Sequence, residues 1–182
     1  MVSKLRSVYK EKIIDSLFKK LNCTNIHQIP KLVKITVNRG LGLSAQNSSD
    51  LAKTIEEFRV ITGQQPVVTN SRKSVAGFKI SEEMPSGVTV TLRWYEMYAF
   101  LDRFANLALP RSRDFQGLNP KGFDKFGNYT LGLNEQLLFP EISYDSVEQA
   151  RGFNITFVTT AKNQQEGLLL LKELGLPIRE KI

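Results

Sequence analysis

Between Ile61 and Ile80 the chain carries Arg72, Lys73 and Lys79 among Ser71, Ser74, Ala76 and Gly77, and no acid interrupts them. A polar turn, Thr62-Gly63-Gln64-Gln65-Pro66, and a short Val67-Val68-Thr69 run lead into this tract. Small residues let a backbone come close to a polyanion, and the cations neutralise it. Phosphate binding is the chemistry this pattern suits; the plainer alternative is a solvated surface loop.

Covalent and metal chemistry have less to build on. His27 is the single histidine and sits in a polar loop before Pro30, so it is expected to be a turn residue, not a catalytic base. Cys23 is the single cysteine; it cannot form an internal disulfide, fits a reducing compartment, and is expected to pack near a helix end. One His and one Cys leave no ordinary zinc site. Gly40-Leu41-Gly42 follows a strand-like run but lacks the third glycine of a dinucleotide fingerprint, since Ala45 stands nearby instead. Asp114 and Asp124 share a loop with Arg111 and Arg113, which suit them as ion-pair partners, and Glu82-Glu83 suits a solvated turn. An enzyme acting on nucleic acid would need a metal cluster, a phosphate loop with Lys, or a placed acid and base. A structural RNA-binding protein without a cofactor is therefore expected.

The charge distribution sharpens this. Residues 1–79 hold 14 Lys/Arg against 5 Asp/Glu, a net of +9, whereas residues 80–182 hold 11 against 13, a net of −2. A basic half joined to a faintly acidic half suggests one face for nucleic acid and another for a different partner. No long apolar span is present, and charges interrupt the N-terminal segment throughout, so neither a membrane span nor a signal peptide is expected. A length of 182 residues with 41% hydrophobic content can bury one good core.

The elements that must position these groups follow from periodicity. Ser3 to Leu21 reads as an amphipathic helix with Ser3 as N-cap and Leu5, Val8, Tyr9, Ile13, Leu17 and Leu21 near a 3.6-residue period. Leu32 to Asn38 alternates as a strand, with Lys34, Thr36, Asn38 and Leu32 on its polar face. Asp50 to Ile61 forms a second helix capped by Ser48 or Ser49, with Leu51, Ile55, Phe58 and Ile61 inward. Gly87 to Arg93 is the clearest strand, setting Val88, Val90 and Leu92 against Thr89, Thr91 and Arg93. Glu96 to Leu109 is a third helix that buries Met97, Phe100, Leu101, Phe104 and Leu107 and stops at Pro110. Residues 111–128 form a long Gly-punctuated loop, Tyr129 to Phe139 alternates only partly, Gly152 to Thr160 is a last strand, and Asn163 caps a final helix ended by Gly175 and Pro177.

No repeat or Pro/Ser-rich linker divides the chain. One α+β domain over residues 1–182 is expected: an antiparallel sheet with helices packed on one face and two long projecting loops. The open sheet face would collect Lys34, Thr36, Asn38, Thr89, Thr91 and Arg93, which suits an RNA backbone but lacks the stacking aromatics of an RNA-recognition motif. Lys121-Gly122-Phe123 imitates the start of that motif, but Asp124 breaks it.

Eight blocks, in order, resemble the large-subunit ribosomal protein L5 family of bacterial type. They include Lys34-Ile35-Thr36-Val37-Asn38, Thr62-Gly63-Gln64-Gln65-Pro66, Arg72-Lys73-Ser74-Val75-Ala76-Gly77-Phe78-Lys79-Ile80 and Val90-Thr91-Leu92-Arg93. Ala108 to Gly117, Phe123 to Tyr129, Glu135 to Ile142 and Thr159-Thr160-Ala161-Lys162 complete the set. The resemblance implies binding of 5S rRNA in the central protuberance, a contact with the elbow of peptidyl-site tRNA, and a bridge to a protein of the small-subunit head. Large-subunit rRNA and other central-protuberance proteins would be neighbours. Lys34, Asn38, Gln64, Thr91 and Arg93 are then the expected 5S rRNA contacts. Arg72, Lys73, Ser74 and Lys79 form the tRNA-proximal loop, and Arg111, Arg113, Asp114, Lys121 and Lys125 the bridge loop. Phe115, Phe123 and Phe126 either face a protein partner or anchor that loop to the core.

Three positions depart from the family pattern. Trp94 stands where Gly is usual, leaving stacking and packing both open. Lys125 replaces a Gly whose backbone conformation the loop would need, and Phe126 follows where a short or basic residue is common. The phrasing Met97-Tyr98-Ala99-Phe100-Leu101-Asp102-Arg103 resembles cyanobacterial and plastid members. With no transit peptide before the matching blocks, the chloroplast stroma is the expected compartment and the bacterial cytoplasm the alternative.

Overall fold

The computed structural model describes residues 4–112, 115–144, 147 and 150–179. Five strands form one antiparallel sheet in the order β2-β3-β1-β5-β4: β1 Leu32–Gly40, β2 Val67–Asn70, β3 Pro85–Leu92, β4 Tyr129–Leu133 and β5 Phe153–Thr159. The helices are α1 Lys4–Val8, α2 Ile14–Leu21, α3 Ser48–Thr62, α4 Trp94–Arg103 and α5 Gln164–Glu173. The α+β class expected from the sequence is the class found. By Cα proximity the chain forms two compact units, one of residues 1–35, 93–131 and 156–182, the other of residues 36–92 and 132–155.

In the second unit the period-2 pattern decides which groups face out. Val37 and Arg39 on β1 and Val88, Val90 and Leu92 on β3 are buried, while Thr36, Asn38, Thr89 and Thr91 are partly exposed. Arg39 is only 2% exposed and is the polar centre of this core. Its Nη1 donates to Glu57 Oε2 on α3 at 2.5 Å, Nη2 to the Arg151 carbonyl at 3.2 Å and Nε to the Gly152 carbonyl at 3.3 Å. The guanidinium also lies 5.1 Å from the Phe58 ring centroid and 5.7 Å from that of Phe153. Burial pulls Arg39 down from its ordinary pKa, and the Glu57 hydrogen bond and charge push back. A Cβ on Gly87 would stand 2.6 Å from the Arg39 carbonyl oxygen, so only glycine lets β3 approach β1 here.

The first unit is built on aromatic contacts. Phe100 and Phe104 stack at 6.0 Å, Phe104 and Phe157 lie at 6.0 Å, and Tyr129 meets Phe157 at 6.3 Å. Two helices carry π turns, Tyr9–Ile13 between α1 and α2 and Phe104–Ala108 after α4. A π turn rotates the residues beyond it out of a 3.6-residue phase. In the N-terminal helix Ile13 and Leu17 are buried, while Leu5, Val8 and Leu21 are half-buried. Leu107, expected in the core, lies in the second π turn and is 49% exposed. Leu32, expected on a polar face, is buried.

The caps also differ in detail. Gly63 ends α3 in the left-handed conformation at φ 75°, as the Thr-Gly turn implies. However, Asn47 holds the N-cap of α3, and neither it nor Asn163 before α5 makes a side-chain capping bond. Ser3 lies outside the described residues. Residues 111–128 carry short elements of their own: 3-10 turns at Leu109–Arg111 and Pro120–Gly122, and single bridges pairing Leu118 with Ile178 and Phe123 with Tyr129.

Replacing Arg39 by Met is expected to lower the unfolding free energy by about 3 kcal/mol, because Glu57 and two carbonyls lose their partner. Adding Glu57→Met should restore part of that loss. Urea denaturation followed by circular dichroism checks both; equal stability of the single variant and the parent would contradict the buried cluster.

Candidate nucleic-acid interface

The expected RNA contacts fall on three surfaces. On the second unit, Asn38 and Thr91 stand half-exposed on β1 and β3, and neither side chain makes a hydrogen bond among the described residues. Gln64, exposed just beyond the αL cap of α3, donates from Nε2 to the Thr91 carbonyl at 3.3 Å, which brings the turn to the strand. Thr89 is used internally, donating to the Val37 carbonyl at 3.3 Å. Lys34, half-buried, and Arg93, exposed, belong to the first unit.

The segment from Ser71 to Met84 closes on itself. Ser71 N donates to the Met84 carbonyl at 2.8 Å, Glu83 N to the Ser71 carbonyl at 2.9 Å, and Val75 N to the Ile80 carbonyl at 2.9 Å. Ser74 Oγ donates to the Ile80 carbonyl at 3.2 Å, so this hydroxyl serves the turn. Arg72, Lys73 and Lys79 are all exposed, and Lys79 holds a left-handed φ of 54°. Arg72 and Lys73 form no ion pair among the described residues. Phe78, 70% exposed in the same tip, was not singled out in the sequence as a contact. Its signal is an aromatic set among Gly77, Ala76 and Lys79 in a tract too rich in small residues to bury it.

In the third segment Arg111, Lys121 and Lys125 are exposed, while Arg113 and Asp114 lie outside the described residues. Phe123 folds back onto Tyr129 with centroids 4.7 Å apart, Phe115 is half-buried, and Phe126 is 69% exposed. Asp124 is not an ion-pair partner of Arg111. Its Oδ1 accepts from Phe126 N at 2.9 Å and from Asn128 N at 2.8 Å, and its Oδ2 from Asn128 Nδ2 at 2.7 Å. Gly127 takes the left-handed φ of 76°, and Lys125 has no positive φ, so a side chain at 125 is accommodated. The turn is pinned further: Thr159 N donates to Asn128 Oδ1 at 3.0 Å, and Thr159 Oγ1 to the Gly127 carbonyl at 3.0 Å.

Among the described residues no group of three or more His, Cys, Asp or Glu could hold a metal ion. No helix there is long and apolar enough to cross a membrane.

Partial burial raises the Asp124 pKa, but hydrogen bonds from Asn128 and Phe126 outweigh it and hold the carboxyl below its ordinary value. A depressed carboxylate contributes stability above its unfolded pKa and loses it as pH falls through the folded one. Asp124 is exposed and solvent screens part of this, so Asp124→Ala is expected to cost at most about 1 kcal/mol at neutral pH. Thermal melts should show that difference shrinking once the pH drops below the ordinary carboxylate range. A pH-independent difference would contradict the role of the charge.

Residues 25–80 match the family model described as "Ribosomal protein L5", and residues 85–178 match "ribosomal L5P family C-terminus". "Large ribosomal subunit protein uL5" of Nostoc punctiforme is 56% identical over 179 residues, covering 98% of each chain. "Large ribosomal subunit protein uL5c" of Heterosigma akashiwo is 58% identical over 180 residues, covering 99% of each. The uL5c of Tetradesmus obliquus is 56% identical over 179 residues, covering 98% of this chain and 99% of its own. These relatives include cyanobacterial and chloroplast forms. Blocks of matched sequence that run through both compact units, and relatives aligned nearly end to end, place the chain in the ribosomal protein L5 family, as a structural constituent of the large ribosomal subunit in translation and not an enzyme.

Proposed function

We infer that the protein binds 5S rRNA in the central protuberance, with Asn38, Gln64 and Thr91 as recognition groups and Lys34 and Arg93 as neutralising cations. The observation that carries this is the pair Asn38 and Thr91, partly exposed with their hydrogen-bonding capacity unspent inside the chain, beside Gln64 on the Thr91 carbonyl. Uncharged groups of this kind position an RNA against sugar, base edge or phosphate more than they attract it from a distance.

Arg72, Lys73, Ser74 and Lys79, with Phe78 among them, are assigned to the peptidyl-site tRNA. Four exposed positions around a hydrogen-bonded tip suit a contact made apart from the sheet. Arg111, Arg113, Asp114, Lys121 and Lys125 are assigned to the bridge with a small-subunit head protein. The exposed Phe126 beside Lys125 supports a protein partner, since a loop bound only to phosphate gains nothing from a large apolar group. The plastid stroma is the inferred compartment, with the bacterial cytoplasm as alternative; cyanobacterial and chloroplast relatives fit either.

The triple variant Asn38→Ala/Gln64→Ala/Thr91→Ala is expected to weaken 5S rRNA binding by at least about tenfold in a gel-shift titration, at roughly 1–3 kcal/mol for each lost buried bond. Unchanged affinity with an intact fold would refute the assignment. Arg72→Ala/Lys73→Ala should leave 5S rRNA affinity within about threefold while weakening retention of peptidyl-site tRNA on assembled ribosomes. Loss of 5S rRNA affinity instead would place that segment on the other RNA.

A further inference from the structure

We propose that the cavity at Trp94 seats a single unpaired nucleotide of RNA, its base on the indole and its phosphates on Lys10 and Lys31. This rests on the RNA-binding role inferred above and adjoins that surface at Arg93, but Asn38, Gln64 and Thr91 are not among the residues that line the cavity. The cavity lies within the first unit, beside the N-terminal π turn, the start of β1 and the start of α4, and measures about 440 Å³. That volume falls in the range of small-ligand sites and cannot admit a duplex. Met97 and Tyr98 form buried parts of its lining, and Lys10, Lys31 and Arg93 are exposed at it. No acidic side chain is among the lining residues, and none of these three cations forms an ion pair among the described residues.

Trp94 supplies a second, independent observation. It opens α4 with φ 53°, a left-handed conformation that an L side chain adopts at an energetic cost. Its indole is 74% exposed, so burial within the chain does not offset that cost. Strain held at an exposed aromatic on the edge of a cavity is characteristic of a ligand clamp. Two further rings line the cavity. Tyr9 and Tyr98 lie 5.9 Å apart at 37°, and the Tyr9 hydroxyl donates to the Pro30 carbonyl at 3.3 Å. An aromatic and apolar lining beneath an all-cationic rim matches the two faces of a nucleotide, a π surface that stacks and a phosphate that needs charge.

Trp94 is the only tryptophan, so its emission in the full chain reads this cavity alone. Titration of the intact protein with a single-stranded ten-nucleotide oligoadenylate is expected to quench that emission to saturation. An abasic oligomer of the same length should act with roughly tenfold weaker affinity, since stacking one base contributes on that scale. Lys10→Ala/Lys31→Ala should weaken the quenching and reduce its salt slope by about two, one for each phosphate contact. The Asn38→Ala/Gln64→Ala/Thr91→Ala variant should keep the quenching even where it loses 5S rRNA, which separates failure of this site from failure of the sheet contacts. Absence of quenching, equal quenching by the abasic oligomer, or equal quenching by decaglutamate, which would indicate an acidic-peptide surface, overturns the proposal.

Discussion

The buried guanidinium of Arg39 constrains the second unit more than any other group. It joins β1 to α3 through Glu57, meets the chain before β5 through two carbonyls, and lies against the rings of Phe58 and Phe153. A charge buried to this depth is tolerated only while paired and hydrogen-bonded. That requirement sets the register of β1. Side chains alternate, so an inward Arg39 forces the adjacent Asn38 outward. The neighbouring strand obeys the same logic, since Val90 and Leu92 enter the core and Thr91 between them faces out. A one-residue slip would bury Asn38 and expose the guanidinium, so the outward polar groups proposed to meet RNA and the core are specified together.

The first unit solves a different problem, the ordering of a connection rich in glycine. Asp124, Asn128 and Thr159 form a hydrogen-bonded chain that ties the turn to the end of β5. Gly127 and Gly167 complete it by close approach: a Cβ on Gly167 would stand 2.3 Å from the Gly127 carbonyl oxygen, so α5 lies directly on the turn. With its base anchored, the same short turn presents Lys125 and Phe126 outward.

Much of this was legible in the sequence because it depends on local periodicity. The alternation of Val88, Thr89, Val90, Thr91 and Leu92 predicts which side of β3 is polar, and Thr62-Gly63 predicts the end of α3. What escaped depends on partners distant in the chain. Arg39 continues the alternation only as a polar residue at a core position, and nothing nearby reveals Glu57, Arg151 and Gly152 as its partners. The π turn at Phe104–Ala108 exposes Leu107 although its spacing fits the buried face of a regular helix. Asp124 looks like a salt-bridge partner of Arg111, yet the backbone N–H groups of Phe126 and Asn128 satisfy it instead. Phe78 is distinguished by its exposure and not by its type, and exposure is not readable from the local pattern.

Hydrogen–deuterium exchange of the full chain with and without 5S rRNA tests the sheet assignment most directly. Protection should appear in peptides spanning residues 36–40, 62–66 and 87–93, with residues 124–128 unchanged. Protection confined to residues 153–159 or to α5, with the strand carrying Asn38 unaffected, would contradict an RNA surface built on the register that Arg39 enforces.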